Sequence, residues 1–323
     1  MKRLLVSRAL PDTVMQALQD EYDVTLRPTT QPMSEDEASA ALMEYDAVLP
    51  TLGDAFTADA IGQVDDPRCR ILANFGVGYN HIDVVAATAR GITVTNTPGA
   101  VTDATADIAM VLILMVTRRA GEGERLVRSG KWSGWHPVQM LGMHIGGKTV
   151  GIVGMGRIGK AIARRCHHGF GMDVVFHNRS RVADAGVPAK QLETLADVMA
   201  TADVVVLAVP GSPETHHLID RAALGAMQPH ACLVNISRGD VIDEAALIVA
   251  LQAGKIAGAG LDVYEHEPHV PDALKALENV VLLPHLGTNA EEVRSNMGMM
   301  AVENLRAFFG GAQVPNKVYS VSR

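Results

Sequence analysis

Three short stretches in the second half of the chain carry side chains of the kinds needed for acid–base chemistry on an anion. They are Arg238 in Asn235-Ile-Ser-Arg-Gly-Asp240, Glu267 in Asp262-Val-Tyr-Glu-His-Glu-Pro268 and His285 in Leu283-Pro-His-Leu-Gly287. Imidazole is the natural proton carrier near neutral pH. A carboxylate beside it stabilises the imidazolium and selects one tautomer. A guanidinium offers a permanent positive fork that matches a carboxylate. Each residue taken singly has a plainer explanation: a hydrogen-bonded structural histidine, an arginine paired with Asp240, a solvated loop carboxylate. Their joint occurrence favours a site in which one group moves a proton and another holds an anion.

The elements that must position these groups are short apolar runs alternating with helical stretches. From the middle of the chain onward the runs are Thr149–Val153, Val174–His177, Val204–Ala208, Leu233–Ile236, Ala259–Leu261 and Val280–Leu283. Such alternation predicts a parallel sheet covered by helices on both faces, with ligands beyond the carboxyl ends of the strands. The residues just past those ends are Gly154, Asn178 with Arg179, Val209 with Pro210, Ser237 with Arg238, Asp262, and Pro284 with His285.

The first of these ends is a GxGxxG turn, Gly154-Met-Gly-Arg-Ile-Gly159, and it points to a dinucleotide. The first glycine permits the turn, the second lets backbone approach a pyrophosphate, the third lets helix and strand pack closely, and the helix N-terminus faces the phosphates. If the dinucleotide is a nicotinamide, hydride transfer must be matched by a proton on the partner oxygen, the chemistry for which His285 and a cation are suited. The next strand end chooses between cofactors. Where an NAD site places an acidic residue on the ribose, this chain reads His177-Asn-Arg-Ser-Arg181, with no carboxylate and two guanidiniums. NADPH is therefore expected, with NADH weaker, unless Arg179 and Arg181 are simply a solvated loop.

The first hundred residues repeat the alternation, with strands expected at Leu4–Ser7, Val24–Leu26, Ala47–Leu49, Ile71–Asn74 and Thr93–Thr95. The fold expected is α/β with two doubly wound parallel-sheet domains. A Rossmann-like cofactor domain, residues 100–289, is inserted in a discontinuous flavodoxin-like substrate domain, residues 1–99 and 290–323, with a cleft between. A long helix over Ala104–Thr117 enters the cofactor domain, and a helix over Glu291–Phe309 returns to the first. Both tryptophans, Trp132 and Trp135, lie in the broken segment Arg128–Gly142, which reads as a loop that buries its aromatics against a partner.

With 323 residues, 48% hydrophobic and 20% charged, the chain has material for two cores and the make-up of an ordinary soluble protein. A net charge of -8 and 4% aromatic residues argue against a nucleic-acid surface. Cys69, Cys166 and Cys232 lack the number and spacing for a disulfide framework or a zinc knuckle. No run is long enough to span a membrane, and the stretch before Pro11 is too brief for a signal peptide, so a cytoplasmic location is expected. No metal is expected at the adjacent pairs His167-His168 and His216-His217, which point apart on a helix, or at the His266–His269 stretch.

These motifs, taken in order with Asn74-Phe-Gly-Val-Gly-Tyr-Asn-His-Ile-Asp83 and Thr102-Asp-Ala-Thr-Ala-Asp107, resemble the D-isomer-specific 2-hydroxyacid dehydrogenases over nearly the whole chain. The resemblance implies a homodimer and a catalytic Arg, Glu and His at Arg238, Glu267 and His285. It also implies that amides near Val77 and Gly78, with Leu52, Arg238 and His285, hold the substrate. The cofactor would meet Thr105, Met155, Arg157, Ile158, Ser180, Thr215, Ile236 and Gly287 besides the glycines and strand-end residues already named. Within the family the tryptophan loop and the Asn-Arg-Ser stretch are similar to glyoxylate/hydroxypyruvate reductases, which implies that Trp135 reaches the partner subunit's site. A reductase of 2-ketogluconate or of another 2-keto acid stays open. So does a non-enzymatic dinucleotide-sensing relative of the corepressor kind, which turnover on a panel of keto acids would separate.

Overall fold

The computed structural model describes residues 1–319; the last four residues of the expected substrate domain lie outside the described residues. The chain divides into two compact units, one formed by residues 1–101 with 289 onward and the other by residues 102–288.

In the first unit, β1 (Arg3–Val6), β2 (Asp23–Leu26), β3 (Ala47–Leu49), β4 (Ile71–Ala73) and β5 (Thr93–Thr95) form a parallel sheet ordered β2-β1-β3-β4-β5. Alternate strand residues serve opposite faces, as the two-residue period of a strand requires. Leu4, Val6, Ala47, Leu49, Ile71 and Ala73 meet α1 (Asp12–Glu21) and the helix Glu291–Phe309. Leu5, Val48, Leu72 and Val94 meet α2 (Glu35–Glu44), α3 (Ala58–Gly62) and α4 (Val84–Ala89). A Cβ on Gly298 would stand 2.5 Å from Val14 Cγ2, so that glycine sets how closely the C-terminal helix lies on α1. Side-chain oxygens start three helices: Ser34 in a reciprocal box with Glu37, then Thr57 and Asp83.

In the second unit, α5 (Thr102–Thr117) and α6 (Ala120–Arg128) precede a seven-stranded parallel sheet. Its strands are β6 (Thr149–Val153), β7 (Asp173–His177), β8 (Lys190–Gln191), β9 (Val204–Leu207), β10 (Cys232–Asn235), β11 (Gly258–Leu261) and β12 (Val280–Leu282). The spatial order is β12-β11-β10-β9-β6-β7-β8. The chain leaves β6 toward one edge and returns through β9 to the other, so the carboxyl ends of β6 and β9 mark the switch point where such sheets receive ligands. Ala109, Leu112 and Ile113 of α5 cover one face together with α7 (Arg157–Arg164). The other is covered by α8 (Leu195–Thr201), α9 (Arg221–Ala226) and α10 (Glu244–Gln252).

The two-domain α/β architecture is that expected. Differences are local. Four of the expected runs, ending at Ser7, Asn74, Ala208 and Leu283, each stop one residue earlier, and Leu233–Ile236 is displaced by one, because the ladder ends where the chain turns away over the rim. The long helix begins at Thr102, and β8, only two residues long, is too short to leave a periodic trace. A π-helical turn, Arg165–Gly169, prolongs α7.

Candidate active site

The dinucleotide turn is shaped by sterics that can be read atom by atom. Gly154 has φ +98°, and a Cβ there would stand 2.7 Å from the Ala208 carbonyl. A Cβ on Gly159 would stand 2.2 Å from the Gly154 carbonyl oxygen. Gly156 differs: a Cβ there meets nothing within 4 Å, so no packing inside the chain demands that glycine. Open space above the first residue of α7 is what a phosphate needs if it is to reach the free N–H groups, and the segment fits a dinucleotide on that ground. Arg157 is exposed there, Ile158 half-buried and Met155 buried. The Met155 amide is fixed by Asn178 Oδ1 at 3.2 Å, and the Asn178 amide group donates to Ser180 O at 3.0 Å.

Arg179, Ser180 and Arg181 are exposed beyond β7, and neither guanidinium has a hydrogen bond or ion pair among the described residues. After β9, Thr215 Oγ1 donates to Pro210 O at 2.8 Å and accepts from Ser212 N at 2.9 Å, closing the loop that begins at Val209. Ile236 and Ser237 turn inward after β10, with Ser237 Oγ on Asn235 Oδ1 at 2.7 Å.

The acid–base groups come together at the carboxyl ends of three neighbouring strands, β10, β11 and β12. His285 Nδ1 and Glu267 Oε2 are 2.9 Å apart, and Glu267 Oε1 accepts from Tyr264 N at 3.0 Å. Burial pushes the Glu267 carboxyl up, but the hydrogen bond and charge of His285, the Tyr264 amide and the Arg238 charge outweigh it and leave it below its ordinary value. With Nδ1 engaged by the carboxylate, Nε2 is the nitrogen left to face a substrate.

Arg238 is half-buried, and Nη1 donates to Ser237 O at 2.7 Å. Burial depresses its pKa while the charges of Glu267 and Asp240 raise it, so the guanidinium belongs to the same electrostatic cluster. Two glycines make room for it. A Cβ on Gly211 would stand 2.8 Å from Arg238 Cγ, and one on Gly239 would stand 1.8 Å from the Tyr264 carbonyl carbon. The Arg238 and Glu267 loops therefore press backbone against backbone.

The turn bearing His285 is held from below. His285 has φ +55°, a left-handed conformation that costs a residue with a side chain about 1–3 kcal/mol. Its N–H donates to Asp262 O at 2.9 Å, while the Asp262 carboxylate accepts from Leu286 N at 2.6 Å and Gly287 N at 2.8 Å. Thr105 Oγ1 donates to Gly287 O at 3.1 Å. The structure thus gives Asp262 and Thr105 the part of supports for the histidine turn. Reading the residues one strand end at a time missed this, although Asp at the end of one strand and His-x-Gly at the end of the next was the available signal.

In the first unit, Val77 and Gly78 sit in a loop after β4 in which the carbonyls of Gly76, Val77 and Gly78 are tied down. Asn74 Nδ2 donates to Gly76 O at 3.1 Å and Gly78 O at 3.0 Å, and Asn96 Nδ2 donates to Val77 O at 2.9 Å. The N–H groups of Val77 and Gly78 donate to nothing among the described residues. That is the arrangement of an anion-binding nest. Leu52 is 37% exposed in a loop pinned by Arg8, whose Nη1 donates to Leu52 O at 2.8 Å. Asn74 and Arg8 were not among the expected site residues.

The tryptophans are not buried by their own chain: Trp132 is 51% and Trp135 78% exposed, in a segment where Val138 and Leu141 are also largely exposed. The histidine pairs also depart from expectation. His216 and His217 lie outside any α-helix and stack with ring centroids 4.0 Å apart, and a carboxylate far along the chain, Glu265, reaches His217. The His167 and His168 rings meet edge to face at 5.0 Å in the π-helical turn. No helix among the described residues is long and apolar enough to cross a membrane.

A dinucleotide turn on a doubly wound sheet with an Arg–Glu–His cluster at its rim defines a class, and the comparison with known families agrees with it. Residues 110–287 match the model of the D-isomer specific 2-hydroxyacid dehydrogenase NAD binding domain, so the chain belongs to that family and is an NAD(P)-dependent oxidoreductase. More particularly, it is 44% identical over 322 residues to the glyoxylate reductase of Korarchaeum cryptofilum, covering 98% of this chain and 95% of that one. The glyoxylate reductase of Thermococcus kodakarensis is 41% identical over 321 residues, covering 98% and 96%. Among solved structures it is similar to the NADPH-dependent glyoxylate/hydroxypyruvate reductase of Sinorhizobium meliloti in complex with NADP and malonate. That likeness has 35% identity and a TM-score of 0.86, covering 98% and 96% of the two chains.

Proposed function

We propose that this enzyme reduces glyoxylate or hydroxypyruvate to the D-2-hydroxy acid at the expense of NADPH. The observation that carries the reading is the His285–Glu267 hydrogen bond at 2.9 Å with Arg238 in the same cluster. When bound, the nicotinamide dinucleotide supplies hydride to the keto carbon. His285 gives the Nε2 proton to the keto oxygen as that bond forms, and Glu267 keeps the imidazolium favourable until then. Arg238 polarises the keto group and orients the acid. In the first unit the free amides of Val77 and Gly78 are suited to a carboxylate. His285 is left neutral and regains its proton from solvent. Asp262 and Thr105 hold the histidine turn during the step.

NADPH is favoured over NADH by two unpaired guanidiniums, Arg179 and Arg181, where a 2'-phosphate would lie, and by the absence of a carboxylate there. We further propose a homodimer in which the loop bearing Trp132, Trp135, Val138 and Leu141 docks on a second copy, because a run of exposed large apolar side chains marks an interface. Trp135 is the residue we assign to the partner's substrate site.

Steady-state turnover of a panel of 2-keto acids, with NADPH and NADH in parallel, tests the whole reading. The expected result is the highest kcat/KM on glyoxylate or hydroxypyruvate and a lower KM for NADPH. A preference for a bulky keto acid or for 2-ketogluconate would replace the substrate, a lower KM for NADH would remove the NADPH assignment, and no turnover at all would favour dinucleotide sensing.

A further inference from the structure

Outside the reaction centre the second unit gathers two imidazoles and a carboxylate that the chemistry above does not use. One ligating atom from each of His216, His217 and Glu265 lies within 4.8 Å of the others. His217 Nε2 and Glu265 Oε1 are 2.8 Å apart, and the His216 ring stacks on that of His217 with 25° between planes. His216 is exposed and the other two are half-buried, so the cluster is open to solvent on one side. We propose that these three residues form a binding site for one divalent transition-metal ion, of the class that imidazole nitrogen with carboxylate oxygen selects, such as Zn2+.

The geometry needs little change to admit the ion. Zinc bonds of about 2.0–2.2 Å to nitrogen and oxygen at a tetrahedral angle place those atoms ~3.3 Å apart, so His217 and Glu265 must open by about half an ångström. The exposed His216 ring supplies the third ligand by rotation about its own side-chain bonds, and water completes the shell. The ion takes the place of the direct His217–Glu265 contact.

A second observation makes the cluster want a cation. Glu244, only 7% exposed, packs against Glu265: its N–H reaches Glu265 Oε2 at 3.4 Å, and the Glu265 N–H reaches Glu244 Oε2 at 3.5 Å. Neither carboxylate has an ion pair with a lysine or arginine among the described residues, so two acids share a partly dry place offset by imidazole and by two long backbone N–H contacts. A divalent ion relieves that repulsion. It would also tie the loop Pro210–His217 to the stretch Tyr264–Glu267, two segments joined here by the His217–Glu265 contact at 2.8 Å.

The test reads metal rather than turnover and so stands apart from the choice of keto acid. The full-length protein, freed of metal by chelation, is titrated with Zn2+ by calorimetry and with Co2+ by visible absorption, whose intensity distinguishes a low-coordinate nitrogen and oxygen set from hexaaqua ion. One ion per chain is expected, with a rise in Tm that depends on its concentration. His216→Ala and Glu265→Gln should each weaken binding at least tenfold, and His136→Ala, an exposed histidine elsewhere, should leave it unchanged. His216→Ala lies on the surface and should keep metal-free turnover and Tm, so its loss of binding cannot be ascribed to misfolding. Equal affinity in wild type and His216→Ala, or the absence of a saturable one-per-chain phase, overturns the site.

Discussion

Two stretches of one rim, the glycine turn after β6 and the acid–base cluster after β10 to β12, are built on different principles. The glycine turn is local: within six residues, Gly154 and Gly159 are required by atoms of their own strand, turn and neighbour, and Gly156 by space left for a ligand. The acid–base cluster is assembled from afar. Glu267 and His285 are 18 residues apart, and Arg238 is brought to them by the contact of Gly239 with Tyr264. A site of the first kind fails by losing its ligand, one of the second kind by losing its geometry.

Substitutions sharpen that contrast. The largest effect is expected from His285→Ala, which removes the proton donor: kcat should fall by roughly 10²–10⁴-fold while dinucleotide affinity, measured by fluorescence titration, stays as it was. Retained turnover would break the assignment of acid–base work to this cluster. Two strand-end glycines, Gly239 buried and Gly156 exposed, should then behave in opposite ways. Gly239→Ala puts a Cβ into the Tyr264 backbone, so Tm should drop by several degrees and all activities with it. Gly156→Ala meets no protein atom within 4 Å, so Tm should hold while KM for the dinucleotide rises about tenfold. Equal thermal losses in both would mean that Gly156 serves packing.

Glu267→Gln should cost about 10–100-fold in kcat, the scale of removing a group that orients another. It also carries a sign. Against the effect of burial, the hydrogen bond and charge of His285 hold the Glu267 carboxyl below its ordinary value, so the ionised pair persists into acid and is lost as pH falls through that lowered value. The acid limb of the wild type should reflect this loss and be absent in Glu267→Gln. An unmoved pH profile would separate the two residues functionally. The smallest effect belongs to Arg179→Ala with Arg181→Ala, expected to raise KM for NADPH about tenfold, the scale of one charge-assisted contact, and to leave NADH unaffected.

The contrast also explains what could be read in advance. Strand and helix order followed from apolar runs, since a parallel sheet buried on both faces needs Val150, Ile152, Val204 and Val206 wherever it is placed. The three functional side chains were legible because strand ends are where such sheets bind ligands. Their supports were not: Asp262 reads as another strand-end acid until its oxygens are seen on the amides of Leu286 and Gly287, and Asn74 as one more polar loop residue until it is seen holding two carbonyls. Likewise the expectation of no metal at His216-His217 rested on a helical pair. The pair is not α-helical, and Glu265 arrives from 48 residues away.

By itself, the order of residues determined the elements, the cofactor turn and the chemical kinds of group available, because these depend on periodicity, on where a side chain is absent and on what functional groups exist. Only the tertiary structure decided which carboxylate meets which imidazole, which amides stay free to bind an anion and which acid props a turn. Those depend on distances between segments far apart in the chain, set by how sheets and helices pack, and hydrogen bonds are made or lost over a few tenths of an ångström.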